Sequence, residues 1–223
     1  MTRYHECGED AAVTVTNDFS APEEIRPSVF FRTEEDFEDW ELIALERCGQ
    51  RVLDIGAGVG SHALVLQARG HSVTALELLP GAVRIMRDRG IEDVRLGRVE
   101  ELLEIDLAFD TILLLMNGSM LAGTLVGLEH LLASTSSILN ETGVIMMDST
   151  DLGLGGDSWD RTNQDYPGEL QYQLKYADLV GKVFPQLFVD PEVLRMVSRN
   201  VGLQLDIIWQ DDSGHYLAEL KRG

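Results

Sequence analysis

Apolar positions along the chain fall into short runs divided by glycine, proline and acidic clusters, and the runs alternate between two periods. Residues 51–55, 71–77, 93–96, 111–116 and 144–147 are compact apolar runs of strand length. Between them, residues 61–69, 80–89 and about 124–139 have helical spacing. Pro80 stands at a first turn, and Gly70 and Gly90 stand just past two last turns, which is where each residue suits a helix end. Strand and helix alternating in this way predict a parallel sheet with helices on both faces, because right-handed crossovers put them there. The run 111–116 has no polar interruption after Thr111, the pattern of a central strand covered on both sides.

The flanks differ. Residues 1–32 are polar, hold Pro22 and Pro27 and show little periodicity, so they predict an arm with at most short structure. Thr33, followed by Glu34, Glu35 and Asp36, predicts a helix start that Phe37, Trp40, Leu42, Ile43 and Leu45 continue towards Gly49. Asn140-Glu141-Thr142-Gly143 predicts a turn before the fifth strand. After residue 148 the order changes: a glycine-rich loop at 151–157 leads to alternation over 170–176 and a second run at 182–188, a hairpin turning near 179–181. Asp190-Pro191 opens a helix that ends before Gly202, and strands 203–210 and 215–220 flank Asp211-Asp212-Ser213-Gly214, an antiparallel turn. The prediction is one α/β domain in four stretches: an arm at 1–32, a ligand-binding core at 33–148, an insertion at 149–189 and a terminal helix and hairpin at 190–223.

Charge narrows the partners. Over 223 residues, 38 Asp and Glu oppose 18 Lys and Arg, a formal net charge of −20. A polyanion is repelled at long range, so nucleic acid is disfavoured. Arg84, Arg87, Arg89, Arg95 and Arg98 cluster in sequence and read as a solvated helix face and strand edge. No apolar stretch reaches the ~18 residues of a membrane span, and the first residues lack the order of a signal peptide. Cys7 and Cys48 form neither a metal-ligand spacing nor a disulfide framework. A cytoplasmic protein without a metal or membrane partner is expected, as a monomer or homodimer.

The chemistry concentrates in Val52-Leu53-Asp54-Ile55-Gly56-Ala57-Gly58-Val59-Gly60, a strand running through a glycine turn into a helix. Glycine there lets backbone turn sharply and approach a ligand at the carboxyl edge of the sheet. A dinucleotide fingerprint would place its third glycine at 61, where this chain has serine. Asp54, two residues before Gly56, repels a pyrophosphate but suits the ammonium of an amino acid. Glu77 ends the second strand, the position from which a carboxylate accepts both ribose hydroxyls. The pair points to an adenosine ligand bearing an amino acid, as S-adenosylmethionine (SAM) does.

With Phe109-Asp110-Thr111 and Gly143-Val144-Ile145-Met146-Met147-Asp148, these motifs make residues 51–148 resemble the class I SAM-dependent methyltransferases. Phe30-Phe31-Arg32, Leu115-Met116-Asn117-Gly118, Asp148-Ser149-Thr150-Asp151, Tyr166-Pro167-Gly168-Glu169 and Val189-Asp190-Pro191 extend the resemblance to a bacterial branch of unassigned substrate. It implies a Rossmann-like, doubly wound, seven-stranded and mostly parallel sheet with an antiparallel last strand, to which the pattern over 170–188 adds the β-hairpin insertion. It also implies SAM as methyl donor, S-adenosylhomocysteine (SAH) as product and a small-molecule acceptor methylated on oxygen, nitrogen or carbon. Cofactor contacts are expected from Asp54, Gly56, Ala57, Gly58, Gly60, Glu77, Leu78, Val99 and Asn117. Members of the class often place an acid after the third strand against the adenine amine; here Arg98 stands in that position, leaving Val99 packing, backbone groups or Glu100 for the base.

On the acceptor side, Asn117 follows the buried fourth strand and can orient the acceptor, Asp148 ends the fifth strand and can accept a proton, and His62 can serve as a base. Arg32 can close the arm over the site onto a carboxylate. Tyr166 and Tyr172, and Tyr176 beyond them, are expected to wall the acceptor pocket from the insertion. Gln171, Gln173 and Lys175 fall on one face of 170–176, and Leu170, Tyr172, Leu174 and Tyr176 on the other. Two other uses of such a site are aminopropyl transfer or cyclisation of SAM, and retention of SAM by a binding protein without turnover.

Overall fold

The computed structural model describes residues 1–103, 108–154 and 165–223; the 155–157 part of the expected glycine-rich loop lies outside the described residues. In chain order the elements are α1 (Thr2–Cys7), β1 (Val13–Asn17), β2 (Glu23–Ile25), α2 (Asp39–Glu46), β3 (Arg51–Ile55), α3 (Ser61–Ala68), β4 (Ser72–Glu77), α4 (Pro80–Asp88) and β5 (Asp93–Leu96). Then follow β6 (Phe109–Leu114), α5 (Leu125–Ser137), β7 (Leu139–Thr150), β8 (Glu169–Tyr176), β9 (Leu179–Val180), β10 (Phe184–Leu187), α6 (Pro191–Asn200), β11 (Leu203–Gln210) and β12 (His215–Arg222).

Seven strands form the main sheet in the order β11-β12-β7-β6-β3-β4-β5. Its neighbours from β7 to β5 run parallel, and β12 is antiparallel to both β7 and β11, as the last strand was expected to be. The sheet separates two apolar layers. On β6, Ile112 and Leu114 enter one layer with Leu128, Leu132 and Leu194 of α5 and α6. Leu113, between them, enters the other layer with Trp40, Leu45, Leu66 and Met86 of α2, α3 and α4. An unbroken apolar run is therefore what a strand needs when successive side chains point to opposite, equally dry faces.

The amino-terminal arm holds only short elements, as expected, but they are not isolated: β1 pairs antiparallel with β2 and with β8, and β8 pairs with β10, so arm and insertion build a second sheet of order β10-β8-β1-β2, with β9 beside β8. Three expectations are corrected. The helix expected from Thr33 is split, with a single tight turn at Glu34–Asp36, extended backbone at Phe37 and Glu38, and α2 only from Asp39. Two acid-rich capping boxes in succession, closed by Asp36 and by Glu41, offer two helix starts, and the chain uses both. The turn expected at 140–143 lies inside β7 as an irregular bulge, where pairing shifts from Phe109↔Leu139 to Thr111↔Val144. The insertion's hairpin is present, but β9 already pairs back onto β8 at Tyr176↔Leu179, so the chain reverses at Ala177 and Asp178.

The second sheet is bolted over the carboxyl edge of the main sheet by buried polar groups. Ser119 Oγ donates to the Leu187 carbonyl at 2.8 Å, Val189 N–H donates to Ser149 Oγ at 3.0 Å, and Tyr216 O–H donates to the Val189 carbonyl at 2.6 Å. Tyr166 O–H donates to Asp190 at 2.7 Å and accepts the Asp190 N–H at 2.9 Å, while Asp190 caps α6. Leaving that carboxylate and N–H short of a partner costs about 1–3 kcal/mol. Tyr166→Phe is accordingly expected to lower the unfolding free energy by about 1–3 kcal/mol in denaturant titration, with no change in affinity for the adenosine ligand.

Candidate functional site

The carboxyl ends of β3, β4 and β6 open onto two adjoining cavities. β3 passes into a turn in which Gly56, Gly58 and Gly60 all have left-handed backbone, φ 72°, 59° and 82°. The last two are glycine for different reasons. A Cβ on Gly60 would lie 2.1 Å from Ile91 Cδ1, so this glycine lets α3 pack against the segment after α4. A Cβ on Gly58 would meet nothing nearer than the Gly56 carbonyl at 3.9 Å; its cost would be the left-handed backbone, and the space in front is free for a ligand.

Glu77 is buried at the end of β4, where its two oxygens accept the Gly58 N–H and the Leu79 N–H, each at 2.9 Å. A carboxylate has about four acceptor sites, so both oxygens can still take hydroxyl donors. Asp54 is treated differently. It is buried beside the same turn, and its Oδ2 has no hydrogen-bond partner. Burial raises its acid to about 6, with His62 lowering and Glu77 further raising it.

One cavity, of about 310 Å³, lies beside Glu77 and is lined by Leu76, Leu78, Val99, Arg98 and His130. The other, of about 460 Å³, is lined by Asp54, Ala57, His62, Arg32, Asn117 and Gln186 among others; Gly56 and Leu121 border both. Each volume lies in the range of small-ligand sites. The first offers an apolar slot beside a carboxylate, and the second an unpartnered acid. That donor set fits a nucleoside carrying an amino acid, and the orphaned Asp54 oxygen is the observation that decides it.

A buried ionic cluster stiffens the wall of the larger cavity. Glu41 of α2 is fully buried, and the Arg32 guanidinium forks onto it at 2.7 and 2.6 Å. The Glu38 N–H at 3.0 Å and His62 Nε2 at 2.6 Å complete its shell. Against the penalty of burial, these donors hold the Glu41 acid down at about 2. Glu41 therefore stays ionised and accepts the hydrogen bond of His62 Nε2–H, which makes Nδ1 the ring nitrogen that can carry the lone pair. Sequence reading missed Glu41, which hides in an acid-rich helix start; its position next to Trp40 on α2 carries no distinguishing signal.

The strand β6 ends in two consecutive left-handed residues, Met116 and Asn117, with φ of 70° and 57°. Such backbone costs of order 1–3 kcal/mol per residue and persists only where something holds it. Asp148 does so: it accepts the Asn117 N–H at 2.7 Å and the Gly118 N–H at 3.0 Å, and pairs with His215 Nε2 at 2.8 Å. His215 is in turn edged by Trp40 and Trp209.

The expected site residues therefore divide. Asp54, Gly56, Ala57, Gly58, Glu77, Leu78, Val99, Asn117, His62 and Arg32 all line the two cavities. Gly60 sits behind them in packing. Asp148 lines neither cavity and faces the Asn117 loop from below, so its carboxylate is taken up by positioning rather than open to an acceptor. Arg32 has its charge matched within the protein by Glu41. Tyr166 is in the core against Asp190, and Tyr172 packs on Phe184 and Phe188 in the second sheet; neither lines these cavities. Alternation marked the faces of β8 but not which face the fold turns to the site. Four of the five clustered arginines have local partners, Arg84 on Glu6, Arg95 on Asp93, and Arg87 and Arg89 on the carbonyls of Val94 and Val59, while Arg98 lines the smaller cavity. Gln186 and His130 are cavity residues that the sequence did not flag.

Comparison with known proteins agrees with this fold. The methyltransferase domain family matches residues 53–147. A SAM-dependent methyltransferase from Bacteroides fragilis, solved in complex with S-adenosyl-L-homocysteine, is 30% identical, with a TM-score of 0.86 over 100% of this chain and 92% of that one. A ubiquinone biosynthesis O-methyltransferase from Xanthomonas euvesicatoria pv. vesicatoria (strain 85-10) is 28% identical over 174 residues, spanning 73% of this chain and 66% of that protein's length. An S-adenosylmethionine-dependent methyltransferase from Clostridium acetobutylicum ATCC 824, 15% identical, shares the fold with a TM-score of 0.63 over 85% of this chain and 94% of that one.

The orphaned carboxylate of Asp54 gives a paired expectation. Asp54→Asn removes a buried charge whose acid is raised from 3.8 to about 6, so the charge is a burden above pH 6, on the order of 3 kcal/mol. The substitution is expected to raise the melting temperature of the ligand-free protein at pH 8 while weakening its binding of SAH at least tenfold in calorimetry. Loss of affinity without the gain in stability would mean that Asp54 is not the orphan described.

Proposed function

This chain belongs to the class I SAM-dependent methyltransferases, and from that membership we propose that it methylates a small-molecule acceptor on oxygen, with nitrogen and carbon as the other atoms the fold can serve. The observation that carries the reading is the larger cavity, which adjoins the nucleoside slot, shares Gly56 and Leu121 with it, and at about 460 Å³ can take a small ligand beside the amino-acid end. The oxygen assignment draws on the relatives of 28–29% identity that are named O-methyltransferases, and on a cavity wall whose arginine is already neutralised.

When bound, SAM supplies a methyl group on a positive sulfur, already activated for transfer. What is left to the protein is to hold, align and dry the reactants. In this reading Glu77 takes the ribose hydroxyls, Leu78 and Val99 sandwich the base, and Asp54 takes the ammonium. Donors of Arg32 left over from Glu41 reach towards the carboxylate. Asn117, fixed in its left-handed turn by Asp148, aligns the acceptor with its side-chain amide, whose Oδ1 is steadied by Thr150 O–H at 2.8 Å. His62 accepts the acceptor proton on Nδ1, its ring fixed by Glu41 as a carboxylate fixes a catalytic imidazole. Met116 and Leu115 keep water from the line of transfer.

No helix among the described residues is long and apolar enough to cross a membrane, and we take the reaction to occur in the cytoplasm on a free small molecule, by a monomer or homodimer. With the net charge at −20, nucleic acid is left out of the acceptor classes.

The test is product identity. Incubated with SAM and either a panel of hydroxylated small molecules or the low-molecular-weight fraction of a bacterial extract, the protein is expected to release SAH, seen by mass spectrometry. Methylthioadenosine in its place would mean aminopropyl transfer or cyclisation. Tight SAM binding with neither product would make the chain a binding protein.

A further inference from the structure

Among the described residues, two buried side-chain atoms have no hydrogen-bond partner: Asp54 Oδ2 and Gln186 Oε1. Both belong to residues that line the same cavity, from different sheets. An unpaired buried oxygen costs about 1–3 kcal/mol, so a glutamine kept in that state calls for an explanation. Asp54 has one in the ammonium of the cofactor. Gln186 has none in what has been described so far.

Gln186 lies on β10, in register with Leu170 of β8. Its neighbour Leu187 points into the main core, fully buried, so alternation along the strand sends Gln186 to the other side, against the cavity. Val29, Phe30, Met116 and Met120 add apolar surface to the same cavity, and its neutral polar side chains include Asn117 and Ser61. Arg32 in that wall is paired with Glu41, Asn117 Oδ1 accepts from Thr150 O–H, and Ser61 O–H donates to the Phe30 carbonyl. Gln186 Oε1 is the neutral buried acceptor left without a donor among the described residues, and it suits an uncharged acceptor that brings one. The terminal torsion of glutamine is broad, so a small rotation brings the amide oxygen onto a ligand.

We propose that Gln186 is the specificity-determining residue of the acceptor site. It accepts a hydrogen bond from a second donor on a small, uncharged, largely apolar acceptor, separate from the hydroxyl that is methylated. The two donors must be distinct, because the reacting hydroxyl gives its proton to the base and cannot also hold Gln186. This inference rests on the small-molecule methyltransferase reading and deepens it: the second sheet, built from the later part of the insertion and the arm, selects the acceptor, and the glutamine is its reading head.

The experiment compares catechol, which has a second hydroxyl, with phenol, which has one, as ligands of the SAH-loaded wild-type protein and of the Gln186→Leu variant, by calorimetry. One neutral hydrogen bond at a dry site corresponds to about fivefold in affinity. Wild type is expected to bind catechol at least about fivefold more tightly than phenol, and Gln186→Leu to bring the two within about twofold. SAH affinity should stay unchanged and the melting temperature unchanged or higher, since the apolar side chain removes an orphan. A purely structural glutamine would give the opposite, a lower melting temperature and weaker SAH binding in the variant with the catechol preference intact. That result, equal binding of both probes by wild type, or failure of wild type to bind either probe, overturns the proposal. Failure of the underlying reading looks different: SAH is bound and both probes behave as described, yet no acceptor releases SAH from SAM.

Discussion

Asp54, one residue before the end of β3, has one carboxylate oxygen sealed from water and without a donor, and burial lifts its acid to about 6. The fold invests in keeping it so. Strand β3 is central and dry on both faces, the glycine turn directly after it removes side chains from the approach, and Glu77 next to it adds like charge. A stability-driven sequence would replace this aspartate or give it a partner. Leaving it unpaired makes sense where a cation arrives with a ligand and relieves the penalty on binding.

Two other buried acids at the same edge show what satisfaction looks like. Glu41 takes four donors and is held ionised at about 2; Asp148 takes two backbone N–H groups and a histidine. Glu41 fixes Arg32 and the His62 ring, and Asp148 fixes the strained backbone at Met116 and Asn117. Both act through other groups, holding polar side chains in place around the one acid that is left open. The result is a preorganised cavity with rigid walls, the arrangement that methyl transfer from an already activated donor needs.

Much of this was legible in the residues. Five short apolar runs and three helical stretches specified the parallel sheet, since strands buried on both faces carry their pattern openly. The cofactor turn was legible because glycine at 56, 58 and 60 and acids at 54 and 77 each answer a local geometric need. The second sheet was not. β1, Val-Thr-Val-Thr-Asn, is only half-buried along its whole length, and its partner β8 lies about 160 residues away, so no local period announces the pairing. Tyr166 and Tyr172 looked like pocket aromatics because composition says they pack but not against what. Gln186 was invisible for the converse reason: a lone glutamine in a strand gains meaning only when its oxygen is found without a donor.

The measurement that bears most directly on the central claim is the affinity for SAH as a function of pH from 5 to 8, in the wild type and in Asp54→Asn. If the buried aspartate is the counterpart of the ligand ammonium, wild-type affinity falls as pH drops through about 6, where the ligand-free acid takes up its proton, and the variant shows weak affinity without that step. Wild-type affinity that stays level across this range, or a step of the same size in the variant, would contradict the account.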